Sequence, residues 1–167
     1  MGLTSNQKGA IAETRITAAA IELGMEVYRP IVEGGRYDVI LDASGVLLRT
    51  QCKWANRDGQ IVIVRARTCR RARRGYFRGT YAAHEVDGIP AYCPDTGECY
   101  FLPIEIVAGR VSVSLRLAPA RNNQERLVHW AADYRLGAIA QLGERLTGSQ
   151  EVGGSNPPSS TTEGPLT

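Results

Sequence analysis

Arg36-Tyr37-Asp38-Val39-Ile40-Leu41-Asp42-Ala43-Ser44-Gly45-Val46-Leu47-Leu48-Arg49-Thr50-Gln51-Cys52-Lys53 is the stretch that decides the fold of this chain. An acid, Asp38, enters a short apolar run that ends in Asp42-Ala43-Ser44-Gly45, a string of turn formers. A second apolar run starts at Val46 and ends in Gln51-Cys52-Lys53. The pattern predicts a strand over 37–41, a tight turn over 42–45 and a return strand over 46–54. On one continuous strand, Gln51 and Lys53 stand two apart and leave the same face, with Cys52 on the other. Such a hairpin brings a carboxylate, an amide and an ammonium group to one end of a sheet.

Working outward, residues 5–23 have helical spacing through Ile11, Ile16, Ala19 and Leu23, with Ser5 as the expected N-cap and Gly24 as the stop. A strand is expected over 25–32, at a sheet edge or end because of Pro30. Gly34-Gly35 then allows the backbone to approach a ligand closely. Beyond the central hairpin, 60–67 reads as a strand, 68–79 as a loop, 87–93 and 98–103 as a second hairpin, 110–117 as a half-buried strand and 124–135 as a closing helix. The whole is expected to be an α/β domain over 1–136, a mixed sheet flanked by helices.

The chain has 167 residues, 43% hydrophobic, enough for one domain with a real core. No apolar run approaches the roughly 20 residues a bilayer span needs, and the first residues lack the apolar core of a signal peptide. The expectation is a cytoplasmic protein with no membrane partner. Cys93 and Cys99 flank Pro94-Asp95-Thr96-Gly97, which fits a hairpin turn better than a zinc site, because C-x2–4-C partners are missing.

Charge is unevenly spread. Residues 1–136 hold 19 Lys+Arg against 14 Asp+Glu, a net of +5. Arg65, Arg67, Arg70, Arg71, Arg73, Arg74 and Arg78 fall within fourteen residues that contain no acid. With Tyr76 and Phe77 among them, these arginines suit the phosphates and a groove of duplex DNA; the bland alternative is a solvated loop. Of 20 basic residues only Lys8 and Lys53 are lysines, which makes Lys53 conspicuous.

Hydrolysis of a phosphodiester requires charge neutralised on the phosphate and a water made nucleophilic, which Mg2+ held by carboxylate and carbonyl oxygens achieves. Asp38 offers a hard oxygen, Gln51 an amide oxygen and Cys52 its backbone carbonyl. Lys53 can orient the attacking water or stabilise the developing charge. Glu13 on the first helix is set to join them over the sheet. Arg29 and Arg36 flank the site in sequence and are candidates for an adjacent phosphate.

These motifs in this order resemble the PD-(D/E)XK superfamily of restriction-like nucleases, over about residues 6–136. More narrowly they resemble the branch of group I intron-encoded homing endonucleases. Asn6-Gln7-Lys8-Gly9-Ala10-Ile11-Ala12-Glu13 is similar to its first helix. Arg36-Tyr37-Asp38 is similar to its acidic strand, and Gln51-Cys52-Lys53 to its Q-x-K strand. The stretch from Tyr92 to Pro103 is similar to its second hairpin; the stretches Ser114 to Gln124 and Trp130 to Tyr134 are similar to its C-terminal signature. Tyr37 replaces the proline of the superfamily pattern and Gln51 its second carboxylate; the branch itself uses Gln there. The resemblance implies Mg2+ (or Mn2+), duplex DNA as substrate, catalytic roles for Glu13, Asp38, Gln51 and Lys53, and a homo-oligomer, dimer or tetramer. A Holliday-junction resolvase or restriction enzyme on the same core, or a DNA-binding protein that has lost catalysis, are the competing readings. Asn122, Asn123 and Gln124 are expected to stabilise the loop before the last helix rather than read bases.

The segment 137–167 is different in kind: Gly/Ser/Pro-rich, with little to bury, and expected to be disordered. Residues 137–158 resemble a translated bacterial tRNA gene. Ala140-Gln141-Leu142-Gly143 back-translates to a D-arm, and Gly154-Ser155-Asn156-Pro157 to a T-arm. Leu146-Thr147 and Ser149-Gln150 back-translate to complementary sides of an anticodon stem. The expectation is a reading frame that runs into a neighbouring tRNA gene.

Overall fold

The computed structural model describes residues 2–32, 34–72, 75–119 and 127–139, with backbone only over 69–78. The tail reading from residue 140 on, Arg73, Arg74 and Asn122 to Gln124 lie outside the described residues; at the start of the tail, Ile139 is buried in the core, beyond the expected limit at 136.

The first helix, α1, runs Ser5–Glu22. Its N-cap is Thr4 rather than Ser5. The Thr4 hydroxyl accepts from the Gln7 amide at 3.3 Å, and the Thr4 amide donates to Gln7 Oε1 at 2.9 Å. This reciprocal box satisfies two N–H groups that helix geometry leaves without partners. The expected first strand shrinks to β1, Glu26–Tyr28, because Pro30 cannot donate to a ladder.

The decisive hairpin forms as β2, Val39–Ala43, and β3, Val46–Thr50. Ser44 and Gly45 both take positive φ, 54° and 88°, which makes the two-residue turn that matches strand twist. Asp42 Oδ1 accepts from the Gly45 amide at 2.7 Å. The return strand is not continuous. It stops at Thr50 and resumes as β4, Lys53–Asp58, with Gln51 and Cys52 forming a break. The expected single strand over 46–54 is therefore two.

Strand β5 is Ile61–Arg65. The arginine stretch, expected as a loop, is a two-stranded antiparallel ribbon of its own: β6, Arg67–Ala72, and β7, Gly75–Thr80, paired from Arg67↔Thr80 to Ala72↔Gly75. Strands β8, Gly88–Cys93, and β9, Glu98–Pro103, make the expected second hairpin. Gly97 turns it with φ 71° and donates to the Cys93 carbonyl at 2.9 Å. Among the described residues no group of three or more His, Cys, Asp or Glu could hold a metal. A short helix, α2, Ile104–Val107, leads to β10, Ser112–Arg116. The expected closing helix is instead a two-residue strand, β11, His129–Trp130, and a 3-10 turn, Ala131–Tyr134. His129 Nδ1 and the Tyr134 hydroxyl hydrogen-bond at 2.8 Å, holding this compact end against β10.

The strands join in the order β1-β2-β3-β8-β4-β5-β10-β11, with β9 on the other edge of β8. One edge of β8 serves two strands. Gly88 pairs with Thr50 of β3, then Ala91 and Tyr92 pair in parallel with Lys53 and Trp54 of β4. The hairpin strand thus bends as it runs along β8. Every residue of β8 is buried, as expected for a strand covered on both faces. On one face Ala12, Ile16 and Ala20 of α1 pack on Val39, Leu41, Cys52, Tyr92 and Phe101, joined by Leu136 and Ile139. On the other, Ile89, Ala91, Tyr100 and Leu102 pack with Val62, Val64, Leu115, Val107 and Tyr81.

Candidate active site

The break at Gln51-Cys52 sits where β2 begins. Its backbone groups have fewer ladder partners there, and a side chain takes over. Asp38 Oδ2 accepts from the Cys52 amide at 2.9 Å, while the Asp38 amide donates to the Thr50 carbonyl at 2.8 Å. The Thr50 hydroxyl, fully buried, donates to the Val39 carbonyl at 2.9 Å. On the other side the Gln51 amide donates to the Gly88 carbonyl at 3.4 Å. Asp38 is thereby pinned on both its backbone and its side chain.

Burial pushes the Asp38 carboxyl above the ordinary aspartate value. Four partners pull the other way without cancelling it: the Cys52 N–H, the charge of Lys53, a hydrogen bond from Gln51 and the charge of Arg29. So Gln51 and Lys53 do converge on Asp38, as the sequence predicts, although a strand break rather than simple alternation brings them there. The Lys53 ammonium also lies 5.4 Å from the centre of the Tyr81 ring, a buried aromatic face that holds the cation in place. Nothing in the sequence around Tyr81 marks it as a neighbour of Lys53.

Glu13, Arg29 and Asp38 line one open cleft of about 610 Å³, with Gly9, Ala10, Pro30, Val32, Gly34, Gly35 and Tyr37. Helix α1 forms one wall and the segment after β1 the other. Arg29 is steadied by a 3.3 Å hydrogen bond from Nη2 to the Thr17 hydroxyl. Arg36 is drawn elsewhere: its guanidinium pairs with Glu85 at 3.6 Å and remains 58% exposed. The Cys52 thiol is pushed well up, first by burial and then by the charges of Asp38 and Glu13. Burial thus favours the neutral thiol, and the Cys52 group that points to hard-cation chemistry is its backbone carbonyl. Arg67, Arg70, Arg71 and Arg78 lie on the separate ribbon.

The loop that leads into β8 is clamped to β3. Asp87 accepts from Arg49 Nε at 3.0 Å and Nη2 at 2.8 Å, and from the Arg49 amide at 2.8 Å. Hydrogen bonding by Arg49 holds the Asp87 carboxyl below the ordinary range. Sequence reading missed this pair, whose partners are far apart in the chain and ordinary in type.

A bent sheet with a helix across its face, an acid where one strand enters and Q-x-K where the next is broken, defines the restriction-endonuclease-like class. The chain belongs to the PD-(D/E)XK endonuclease family, whose sequence profile matches residues 3–137; enzymes of this family generally work with divalent metal ions. The solved structure of the bacterial homing endonuclease I-Ssp6803I is similar, with a TM-score of 0.65 and 22% sequence identity, covering 89% of this chain and 99% of that one. At that identity the likeness speaks for the fold. No curated protein matches the chain. Among the described residues no helix is long and apolar enough to cross a membrane.

Proposed function

We propose that this chain is a Mg2+-dependent endodeoxyribonuclease of homing or mobile-element type that cuts duplex DNA as a homo-oligomer. The observation that carries the proposal is the Asp38 carboxylate. It is desolvated, and the positive groups around it do not offset that cost; it lines a cleft with a second acid, Glu13. A partly desolvated site built from hard oxygens fits a divalent cation. Asp38, Glu13, the Gln51 amide oxygen and the Cys52 carbonyl would hold Mg2+, with Mn2+ as a substitute. When bound, the ion would supply charge neutralisation at the phosphate and a more acidic water.

The other roles fall to the chain itself. Lys53, steadied on Tyr81, carries a fixed positive charge to the place where negative charge grows on the phosphate. Arg29, beside Asp38 in the cleft, holds a neighbouring phosphate. Arg67, Arg70, Arg71, Arg73, Arg74 and Arg78 supply the sequence-independent attraction to the duplex, and Arg36 joins them once DNA competes with Glu85. The homing type is supported by the similarity to I-Ssp6803I. One catalytic centre per chain supports a homo-oligomer, because a double-strand cut needs two.

The test is cleavage of the host's genomic DNA by the purified chain with Mg2+ and then Mn2+, with the ends mapped by sequencing. Recurrent ends at one site are expected. Lys53→Ala is expected to lower cleavage by about 10²–10³-fold, as loss of one transition-state charge partner does, with DNA binding nearly intact. Binding without any cutting under either metal would leave a DNA-binding module in place of an enzyme.

A further inference from the structure

Two apolar side chains stand on the rim of this polar cleft, covered by no other described residue. Ile31 is 102% exposed and Val32 77%. Single exposed hydrophobes are ordinary on a protein surface. An adjacent pair at the mouth of a cleft that carries Glu13, Arg29 and Asp38 is not. Val32 is itself part of the cleft lining, and Pro30, on the other side of Ile31, is too. Ile31 and Val32 are both β-branched and stiff at χ1, and Pro30 fixes its own backbone φ. The tip therefore loses little freedom on binding. Arg29, tied to Thr17, places a positive charge at its base.

We propose that Ile31, with Val32 beside it, is an apolar wedge that enters the duplex next to the bond being cut and unstacks one base step. The inference rests on the nuclease reading, which puts the reacting phosphate in the cleft that Val32 lines. With Arg29 on that strand's phosphates, the tip faces the groove beside them. A duplex offers few apolar surfaces in its grooves, but the faces between stacked bases are apolar, and wedges of this residue type open them. Bending the strand at that step would let the scissile phosphate settle beside Asp38.

The experiment uses the full chain and a short duplex carrying the mapped cut site, with 2-aminopurine placed in turn at each base step flanking the scissile bond. Ca2+ replaces Mg2+ so that the complex stays uncut. Wild type is expected to raise the fluorescence at one step, and the double variant Ile31→Ser/Val32→Ser is expected not to. With Mg2+, the variant should cut matched duplex about tenfold more slowly, the 1.36 kcal/mol that one decade of rate represents. A mismatch at the same step, already unstacked, should restore its rate. Wild-type cleavage by the variant on matched duplex overturns the proposal; so does an equal loss on matched and mismatched duplex. A changed oligomeric state in the variant, read by light scattering, would instead make the pair a subunit contact and overturn it. Cleavage by wild type with no fluorescence rise at any flanking step removes the wedge and leaves the nuclease reading standing. Failure of wild type to cut any DNA removes both.

Discussion

Asp38 is held by its backbone, capped onto Cys52 and kept partly from water, and its raised pKa has a consequence for stability. The folded chain keeps the Asp38 proton to higher pH than the unfolded chain does. Between the two pKa values the native state binds more protons, so stability falls as pH rises through that window. Above the folded value the full cost of the buried charge is present. Asp38→Asn removes that cost. In EDTA at neutral pH the Asn variant is expected to melt at a higher temperature than wild type, and the gap should close as pH falls below the ordinary aspartate range. In Mg2+ the same variant is expected to lose at least about 10²-fold in cleavage rate. A variant that melts no higher than wild type in EDTA would mean that Asp38 is not under desolvation strain.

The chemical types at this site were legible in the sequence because few other roles ask for them: an acid entering an apolar strand, a lone Lys among arginines, a Glu on the first helix. Their means of convergence was not. Val46 to Trp54 carries no residue that announces a break, and Gln51-Cys52 departs from the ladder because β8 arrives alongside. That event depends on a segment some way down the chain.

At the scale of elements, the packing of β8 on β9 beside this break hangs on one missing methyl group. A Cβ on Gly88 would stand 2.2 Å from Cζ of Phe101 and 2.6 Å from Cε1. Phe101 is buried in the core that carries α1, and it also lines a cavity with Ala43, Leu48 and Ile139 into which the ring can yield only at the cost of its packing. Gly88→Ala is expected to destabilise the domain by about 1–3 kcal/mol, the usual cost of overpacking. Adding Phe101→Leu should recover part of that loss. Urea denaturation of the single and double variants measures both, and simple additivity would show that the ring is not the obstacle. Because Gly88 also accepts from the Gln51 amide, the single variant should cut more slowly at temperatures where it remains folded.

The ribbon β6–β7 escaped the sequence reading for a physical reason. Strands are recognised by alternation with an apolar face and by turn formers, and the sequence from Arg67 to Ala72 offers no alternating run of large apolar residues and no glycine until Gly75. The closing segment misled in the opposite direction. Trp130-Ala131-Ala132-Asp133-Tyr134 reads as helix by composition, yet Trp130 ends β11, paired with β10, and Ala131–Tyr134 is a 3-10 turn. As a ribbon, β6–β7 has the width a major groove admits. Arg71→Ala is expected to weaken binding evenly across DNA sequences and to reduce the salt dependence, d log K/d log[salt], by about 1. An unchanged slope in a filter-binding titration over salt would take Arg71 out of contact with phosphate.

At the scale of the molecule, the domain was legible as a mixed sheet ordered around two hairpins, since both hairpins carry strong local signals. Its C-terminal limit depends on packing. Leu136 and Ile139 are buried in the core under α1, and the Leu136 amide donates to the Cys99 carbonyl at 2.9 Å. A chain ending at residue 139 is expected to keep wild-type melting temperature and cleavage, whereas one ending at residue 134 should lose stability by a few kcal/mol as two buried aliphatic side chains go. Equal melting of both truncations would place the boundary earlier.

The shared edge of β8 also divides the site by age. The contact from Cys52 to Asp38 spans 14 residues and belongs to one hairpin, so it can form while the rest of the chain is still unfolded. The angle between β3 and β4 is set only when β8 slots in beside them, after a much longer loop has closed, and such closures come late. On the ribosome, an emerging chain therefore has its acid in register with the Cys52 amide before it has the strand that fixes the bend between β3 and β4.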